Sequence, residues 1–310
     1  MESLNRNAIE LVDEALEFPE QLGIGAHELD VGTTVLDFGV EFPGGLDAGT
    51  LLAEIQTAGL AGVTRSLGQV GGTPRTEIEV TTDQPGVACL CSQKAGMELA
   101  VDGFEGLGSG PARALIGEED VFRRVGYHDA FDMAVLTVEC AELPGEAVAE
   151  RVAEMADVEP SSLFLVAYPT ASIAGSVSAA ARTAELATYR LSELGYDPAD
   201  VLTAHGAAPV PPVAATEPTA MARAADAVAY GGRAHLQVTD PFDRFDDLAS
   251  TASEDHGRPL VDVFDEADWD HAEVARSVHA PAEVVVDVVG GESHVAGDVD
   301  EATLAASFGV

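Results

Sequence analysis

Three short apolar runs separated by two helical stretches, between Met133 and Ala204, constrain this chain more than any other feature. Met133–Val138, Ser162–Ala167 and Val201–Ala204 have the length and apolar content of buried strands. Pro144 stands where a helix can begin, and Glu146–Met155 continues it. Ala171–Leu194 reads as one long helix, closed by the turn Gly195-Tyr196-Asp197-Pro198. The order β-α-β-α-β is the grammar of an α/β layer, because parallel neighbours need a helical crossover.

The rest of the chain is compatible with that grammar. Residues 4–17 place Ile9, Val12 and Leu16 on one side of an amphipathic helix. Val31–Val40 reads as a strand, Pro43-Gly44-Gly45 as a break, and 47–58 as an apolar helix. Thr76–Thr81 alternates as a half-buried strand. Ala207–Pro212 reads as a proline-rich loop, 217–229 as a helix, 233–239 as a strand and Val284–Val289 as a valine-rich strand. No internal repeat is present. The expected fold is therefore α/β, with two α/β domains, 1–150 and 151–310, divided near 144–160.

Charge sets the surroundings in which such a fold can work. Asp and Glu number 54 against 15 Lys and Arg, for a formal charge of −39, yet 46% of residues are hydrophobic. That apolar share supports a packed core, not an acidic disordered chain. On a sphere of ~25 Å radius, the charge repels itself by roughly 35 kcal/mol at 0.1 M salt and ~14 kcal/mol at 1 M. The unfolded chain shares part of this repulsion, but the difference rivals an ordinary stability of roughly 5–15 kcal/mol. The sequence thus predicts a protein that needs concentrated salt, from a halophile with a salt-filled cytoplasm. It also argues against nucleic acid or an anionic membrane as partner, since both are polyanions.

Cys89, Cys91 and Cys140 are few and odd in number, as suits a reducing compartment. No charged-then-apolar leader opens the chain and no apolar run approaches 18 residues. A soluble cytoplasmic enzyme is the expectation.

Candidate chemistry is sparse. The eight histidines form no His-x-His or His-x-x-x-His, and Cys89-x-Cys91 has no second pair, so no zinc ligand set is spelled out. That Cys pair is read as packed in a strand, with redox activity as the other possibility. No Gly-x-Ser-x-Gly elbow surrounds Ser109. The run Gly106-Leu107-Gly108-Ser109-Gly110 resembles a turn into a helix, with Arg113 just beyond. It suits either a plain tight turn or a phosphate-cradling loop, though it is neither a Walker A nor a Gly-x-Gly-x-x-Gly pattern. Lys94 is the only lysine of the chain and lies beside Gln93 and Gly96. On the helix over 171–194, Ser178, Arg182, Glu185 and Tyr189 share the side opposite the apolar stripe. Arg182 and Glu185 stand three apart and can meet. That face is either solvated, with an ordinary ion pair, or the wall of a site.

At these residues the chain resembles the methenyltetrahydromethanopterin cyclohydrolases. The resemblance runs along nearly the whole length: Thr34–Val40, Gln93-Lys94-Ala95-Gly96, Gly108–Leu115, Pro169-Thr170-Ala171-Ser172, Arg182-x-x-Glu185, Ala208-Pro209-Val210 and Tyr230-Gly231-Gly232-Arg233. It implies two α/β domains with a substrate cleft between them, a homotrimer, and no metal or redox cofactor. It implies hydration of a methenyl-tetrahydropterin cation to the N5-formyl product. Arg182 and Glu185 match the family's catalytic arginine and glutamate. Gln93, Lys94, Gly108, Ser109, Gly110, Arg113, Thr170, Ser172, Ser178, Tyr189 and Tyr230 become candidate contacts for the small-molecule tetrahydropterin. Met97 departs from the aromatic residue common after Lys-Ala-Gly, and Pro211-Pro212 thickens a loop. The carrier, tetrahydromethanopterin or tetrahydrofolate, stays open. So do two rivals: a nucleotide-dependent oxidoreductase using Gly106–Gly110, and a non-catalytic pterin-binding relative.

Overall fold

A computed structural model describes residues 2–269 and 274–310. In chain order its helices and strands are α1 (Leu4–Glu17), α2 (Pro19–Leu22), β1 (Gly25–Glu28), β2 (Thr34–Asp37), α3 (Leu46–Gln56), β3 (Gly62–Val70), β4 (Thr73–Thr82), β5 (Met97–Val101), β6 (Phe104–Ser109), α4 (Ala112–Ile116), α5 (Asp120–Val125), β7 (Ala134–Glu139), α6 (Glu146–Ala156), β8 (Leu163–Tyr168), α7 (Ile173–Ala180), α8 (Thr183–Glu193), β9 (Val201–Pro209), α9 (Glu217–Gly231), β10 (Arg233–Val238), α10 (Leu260–Glu266), β11 (Glu283–Val288), β12 (Ser293–Gly297) and α11 (Glu301–Phe308). They form two compact α/β units. The first comprises 1–61 and 87–178, the second 62–86 and 179–310. The single boundary expected near 150 falls inside the first unit, and the second also takes in the early hairpin of β3 and β4.

The first unit is built on a six-stranded sheet ordered β1-β2-β8-β7-β6-β5. Its centre, β2-β8-β7, is parallel, and the outer pairings are antiparallel. The expected β7-α6-β8 crossover is present. One face of the sheet packs Leu136, Val138, Leu163 and Leu165 against Val148, Ala149 and Val152 of α6. The other packs Leu36, Val135 and Val166 against α1 and α3 through Ala8, Val12, Leu52 and Ile55, and Ala174 of α7 joins it. Both faces are covered, which is why β7 and β8 read as continuous apolar runs.

The second unit is built on a sheet ordered β12-β11-β10-β9-β4-β3, antiparallel except for β10 with β11. Here the expected third strand of the β-α-β-α-β series turns out differently. β9 pairs with β4 and β10, not with β8, and it runs on to Pro209 through residues expected as loop. Helices α9, α10 and α11 share a core of Ala227, Tyr230, Leu260, Phe264, Leu304 and Phe308.

Three local expectations are corrected. The long helix over 171–194 is two helices, broken at Ala181-Arg182. The Thr183 hydroxyl donates to the Ala180 carbonyl at 3.0 Å across the break. β9 passes close to the start of α8: a Cβ on Gly206 would stand 2.3 Å from the Ala184 nitrogen. Gly86–Gln93, with Cys89 and Cys91, is a π-helical segment and not a strand. Gly106–Ser109 is not a turn but the end of β6, paired with β5 up to Gly108 and with β7 from Leu107.

Candidate active site

The break between α7 and α8 leaves Arg182 as the residue that caps α8, with Glu185 in its first turn. A carboxylate is favoured there by the partial positive charge of a helix start. The Arg182 Nε and one terminal nitrogen both donate to Glu185 Oε2, at 3.0 and 2.7 Å. Glu185 is 1% exposed and the Arg182 side chain 18%. A pair this dry is not a solvated surface bridge: removing either partner would strand a buried charge. The guanidinium holds Oε2 with two N–H groups. Tyr189 follows one turn on and receives a 3.4 Å contact from Arg276, which also donates to Glu193 at 2.6 Å. Burial, then the nearby Glu193 carboxylate, pushes the Tyr189 phenol above its ordinary value.

In the first unit the sequence candidates form a second cluster. Lys94 Nζ donates to Glu119 Oε2 at 2.8 Å. Arg113 donates to Oε1 of the same residue through Nε at 2.8 Å and a terminal nitrogen at 2.6 Å. Arg113 is almost wholly buried; it also donates to the Ser92 carbonyl at 2.9 Å and stands 5.5 Å from the Phe122 ring centre. Burial pushes the Glu119 carboxyl up, but Arg113 and Lys94 outweigh it and hold the group below the usual range. Gly96 lies beneath this triad, where a Cβ would stand 2.6 Å from Lys94 Nζ and displace the ends of these side chains. A cavity of about 210 Å³ opens alongside, lined by Gly96, Met97, Arg113, Ile116, Glu119 and Met155.

Gln93 is buried at the end of the π-helical segment. Gly110, at φ +96°, donates its N–H to the Ser92 carbonyl at 2.9 Å and turns the chain out of β6. Gly108 sits opposite Met97 in the β5–β6 ladder, and the Ser109 hydroxyl bonds Thr137 Oγ1 at 2.7 Å. The backbone of 106–109 is thus committed to a sheet. It offers no phosphate cradle, which removes the ground for a nucleotide loop.

The remaining candidates are engaged within their own units. Thr170 donates to Glu139. Ser172 donates to the Pro169 carbonyl at 2.8 Å and accepts from Gly175 N at 2.9 Å, capping α7. Ser178 donates to Gln56 Oε1 at 3.0 Å, and Gln56 in turn donates to the Tyr168 hydroxyl at 3.0 Å. Tyr230 lies in the core of the second unit with its hydroxyl on the Arg258 carbonyl, and burial raises its phenol to about 12. Among the described residues the three cysteines form no disulfide and are buried, and burial raises Cys91 and Cys140 to about 12, so neither is a thiolate at neutral pH.

Reasoning from sequence missed Glu119, which joins Lys94 to Arg113, and Glu139, which meets Thr170. Each is one of 54 acidic residues, and no local spacing distinguishes it.

A family model described as cyclohydrolase (MCH) matches residues 3–308. The methenyltetrahydromethanopterin cyclohydrolase of Halobacterium salinarum is 57% identical over 310 residues, covering all of both chains. Proteins of the same name from Methanocorpusculum labreanum and Methanothermobacter marburgensis are each 38% identical, over 314 and 322 residues, again covering all of both chains. The chain therefore belongs to the cyclohydrolase (MCH) family.

Proposed function

We propose that the protein hydrates the methenyl-tetrahydromethanopterin cation to the N5-formyl compound, with Glu185 as acid-base group and Arg182 as its clamp. The observation that carries this is the buried Arg182–Glu185 pair at the start of α8, in a chain of this family. The substrate carbon lies between two nitrogens and already carries delocalised positive charge. It needs a placed water and a base. Glu185 takes a proton from water as the oxygen bonds to that carbon, which gives a neutral tetrahedral adduct. The protonated Glu185 then gives its proton to N10 as the carbon–N10 bond breaks. The adduct's hydroxyl proton leaves as the formyl carbonyl forms, so one proton is released overall. Arg182 holds Oε2 throughout, so that Oε1 faces the water in one fixed geometry.

Lys94, Arg113 and the glycine-backed Glu119 triad are proposed to bind polar parts of the pterin. The family resemblance supports assembly as a homotrimer, which sedimentation in high salt tests. Among the described residues no helix is long and apolar enough to cross a membrane. A cytoplasmic setting in molar salt is proposed from the charge of −39 and from the Halobacterium relative. Thermal stability should rise steeply with KCl; a melting temperature independent of KCl would refute that part.

The test of function is a spectrophotometric assay in concentrated KCl with the methenyl forms of tetrahydromethanopterin and of tetrahydrofolate. Loss of the methenyl absorbance with the former identifies the carrier. No loss with either ends the proposal.

A further inference from the structure

In an open parallel sheet, ligands bind outside the carboxyl ends of the strands, where the connecting helices diverge to opposite faces. The first unit contains such a point. The helix after β7, α6, packs on one face of the sheet, whereas α3 after β2 and Ala174 of α7 after β8 pack on the other. The strand order β2-β8-β7 therefore places the switch point, where such a crevice is expected, between the ends of β8 and β7. The last residues of the three parallel strands are Asp37, Tyr168 and Glu139. Asp37 is saturated: it accepts from the N–H groups of Gly39, Val40, Glu41 and Phe42, at 2.7–3.2 Å. The Tyr168 hydroxyl accepts from Gln56. Glu139 is different. It pairs with Tyr168 across the two strands and is half-buried, and its Oε1 accepts from Thr170, which is 5% exposed. Among the described residues, no group donates to Oε2.

We propose that Glu139 is a substrate-binding residue that accepts the adjacent ring N–H and exocyclic amino group of the pterin's pyrimidinone, with Thr170 as the positioning residue that fixes its carboxylate. This deepens the cyclohydrolase assignment and rests on it. The chemistry is matched: two neighbouring N–H donors on a planar ring meet a carboxylate side-on, as they meet no single neutral acceptor. Thr170 bridges the crevice from the β8 side to the β7 side. It holds one oxygen while Oε2 and the second lone pair of Oε1 stay open. No change of bonding in the substrate is asked of Glu139, so its loss acts on binding and not on the chemical step.

The experiment is steady-state kinetics in concentrated KCl with methenyl-tetrahydromethanopterin. Glu139→Gln should raise KM by about 10-fold or more while kcat falls less than about threefold. Thr170→Val should raise KM in the same direction by less, and Thr170→Ser should restore it. Glu142→Gln removes a charge from the same exposed edge and should leave KM within about twofold, which separates local recognition from the general attraction of a cation by carboxylates. A wild-type KM in Glu139→Gln overturns the assignment. So does an equal rise in Glu142→Gln, or a fall in melting temperature without a change in KM. A wild-type protein that turns over neither methenyl carrier overturns the function itself, and this inference with it.

Discussion

Gly206→Ala should disable the proposed catalytic pair without touching it. Gly206 lies in β9 directly beneath the start of α8, and an added Cβ would fall 2.3 Å from Ala184 N and 2.9 Å from Ala184 Cα. Ordinary contacts begin at 3.4 Å, and the obstructing atoms are backbone, so no side chain can swing aside. The helix start must retreat by about 1 Å. Glu185 is the next residue, and Arg182 caps the same turn. A displacement of about 1 Å in a placed acid-base group costs roughly 10²-fold in rate. Overpacking of this kind costs ~1–3 kcal/mol of stability, which leaves the variant folded in high salt. The assay is kcat from loss of methenyl absorbance, with melting temperature measured alongside. Gly62→Ala, in β3 of the same sheet, is the control, because its added Cβ meets nothing within 4 Å. A folded Gly206→Ala variant with kcat within about threefold of wild type would show that the geometry of this helix start is not what catalysis depends on.

Glu185→Gln keeps the shape and removes the base, so kcat should fall by about 10²-fold or more, measured in the same assay. Asp226 is buried, accepts from Leu260 N at 2.9 Å and Ser307 Oγ at 2.5 Å, and burial raises it from 3.8 to about 6. A raised folded value means that its support is complete below the unfolded value and is lost as pH rises through about 6. The stability of Asp226→Asn relative to wild type should therefore improve by about 2 kcal/mol between pH 4 and pH 7, read from denaturant melts. Glu119 has the opposite sign. Its folded value lies below the ordinary 4.5, so its support is present above that pH and is lost as acid protonates it. Lys94→Met should move the acid-unfolding midpoint to higher pH; an unchanged midpoint would mean that the triad is decorative.

The β7-α6-β8 crossover was legible because its strands are buried on both faces and a proline stands just before its helix. α1 was legible from its 3.6-residue period. The break at Ala181-Arg182 was not, because nothing local marks it: no glycine or proline interrupts Ala179–Ala187. Gly206, some twenty residues further along, lets β9 pack against the start of α8. The run from Gly106 to Gly110 misled for the opposite reason. Its glycines look like turn residues, yet a Cβ on Gly106 would lie 2.9 Å from Val138 Cγ1 and 3.0 Å from the Phe104 ring. These glycines make room for neighbouring side chains within the sheet. The Arg182–Glu185 pair was visible at its spacing, and only the structure shows it to be dry. Glu119 and Glu139 are assembled by contacts distant in sequence, and in so acidic a chain no pattern singles them out.

The hairpin of β3 and β4 has one further consequence, for how this protein is made. Its outer partner in the sheet is β9, and Thr82 is synthesised 127 residues before Pro209. At roughly 5–20 residues per second, the ribosome leaves the open edge of β4 unpaired for about 6–25 s. Neither unit is finished when its first segment emerges, and a chain ending at Ser178 would hold all of the first unit but leave the β3–β4 hairpin without β9. A nascent chain with an unsatisfied strand edge is a template for its neighbours until β9 arrives.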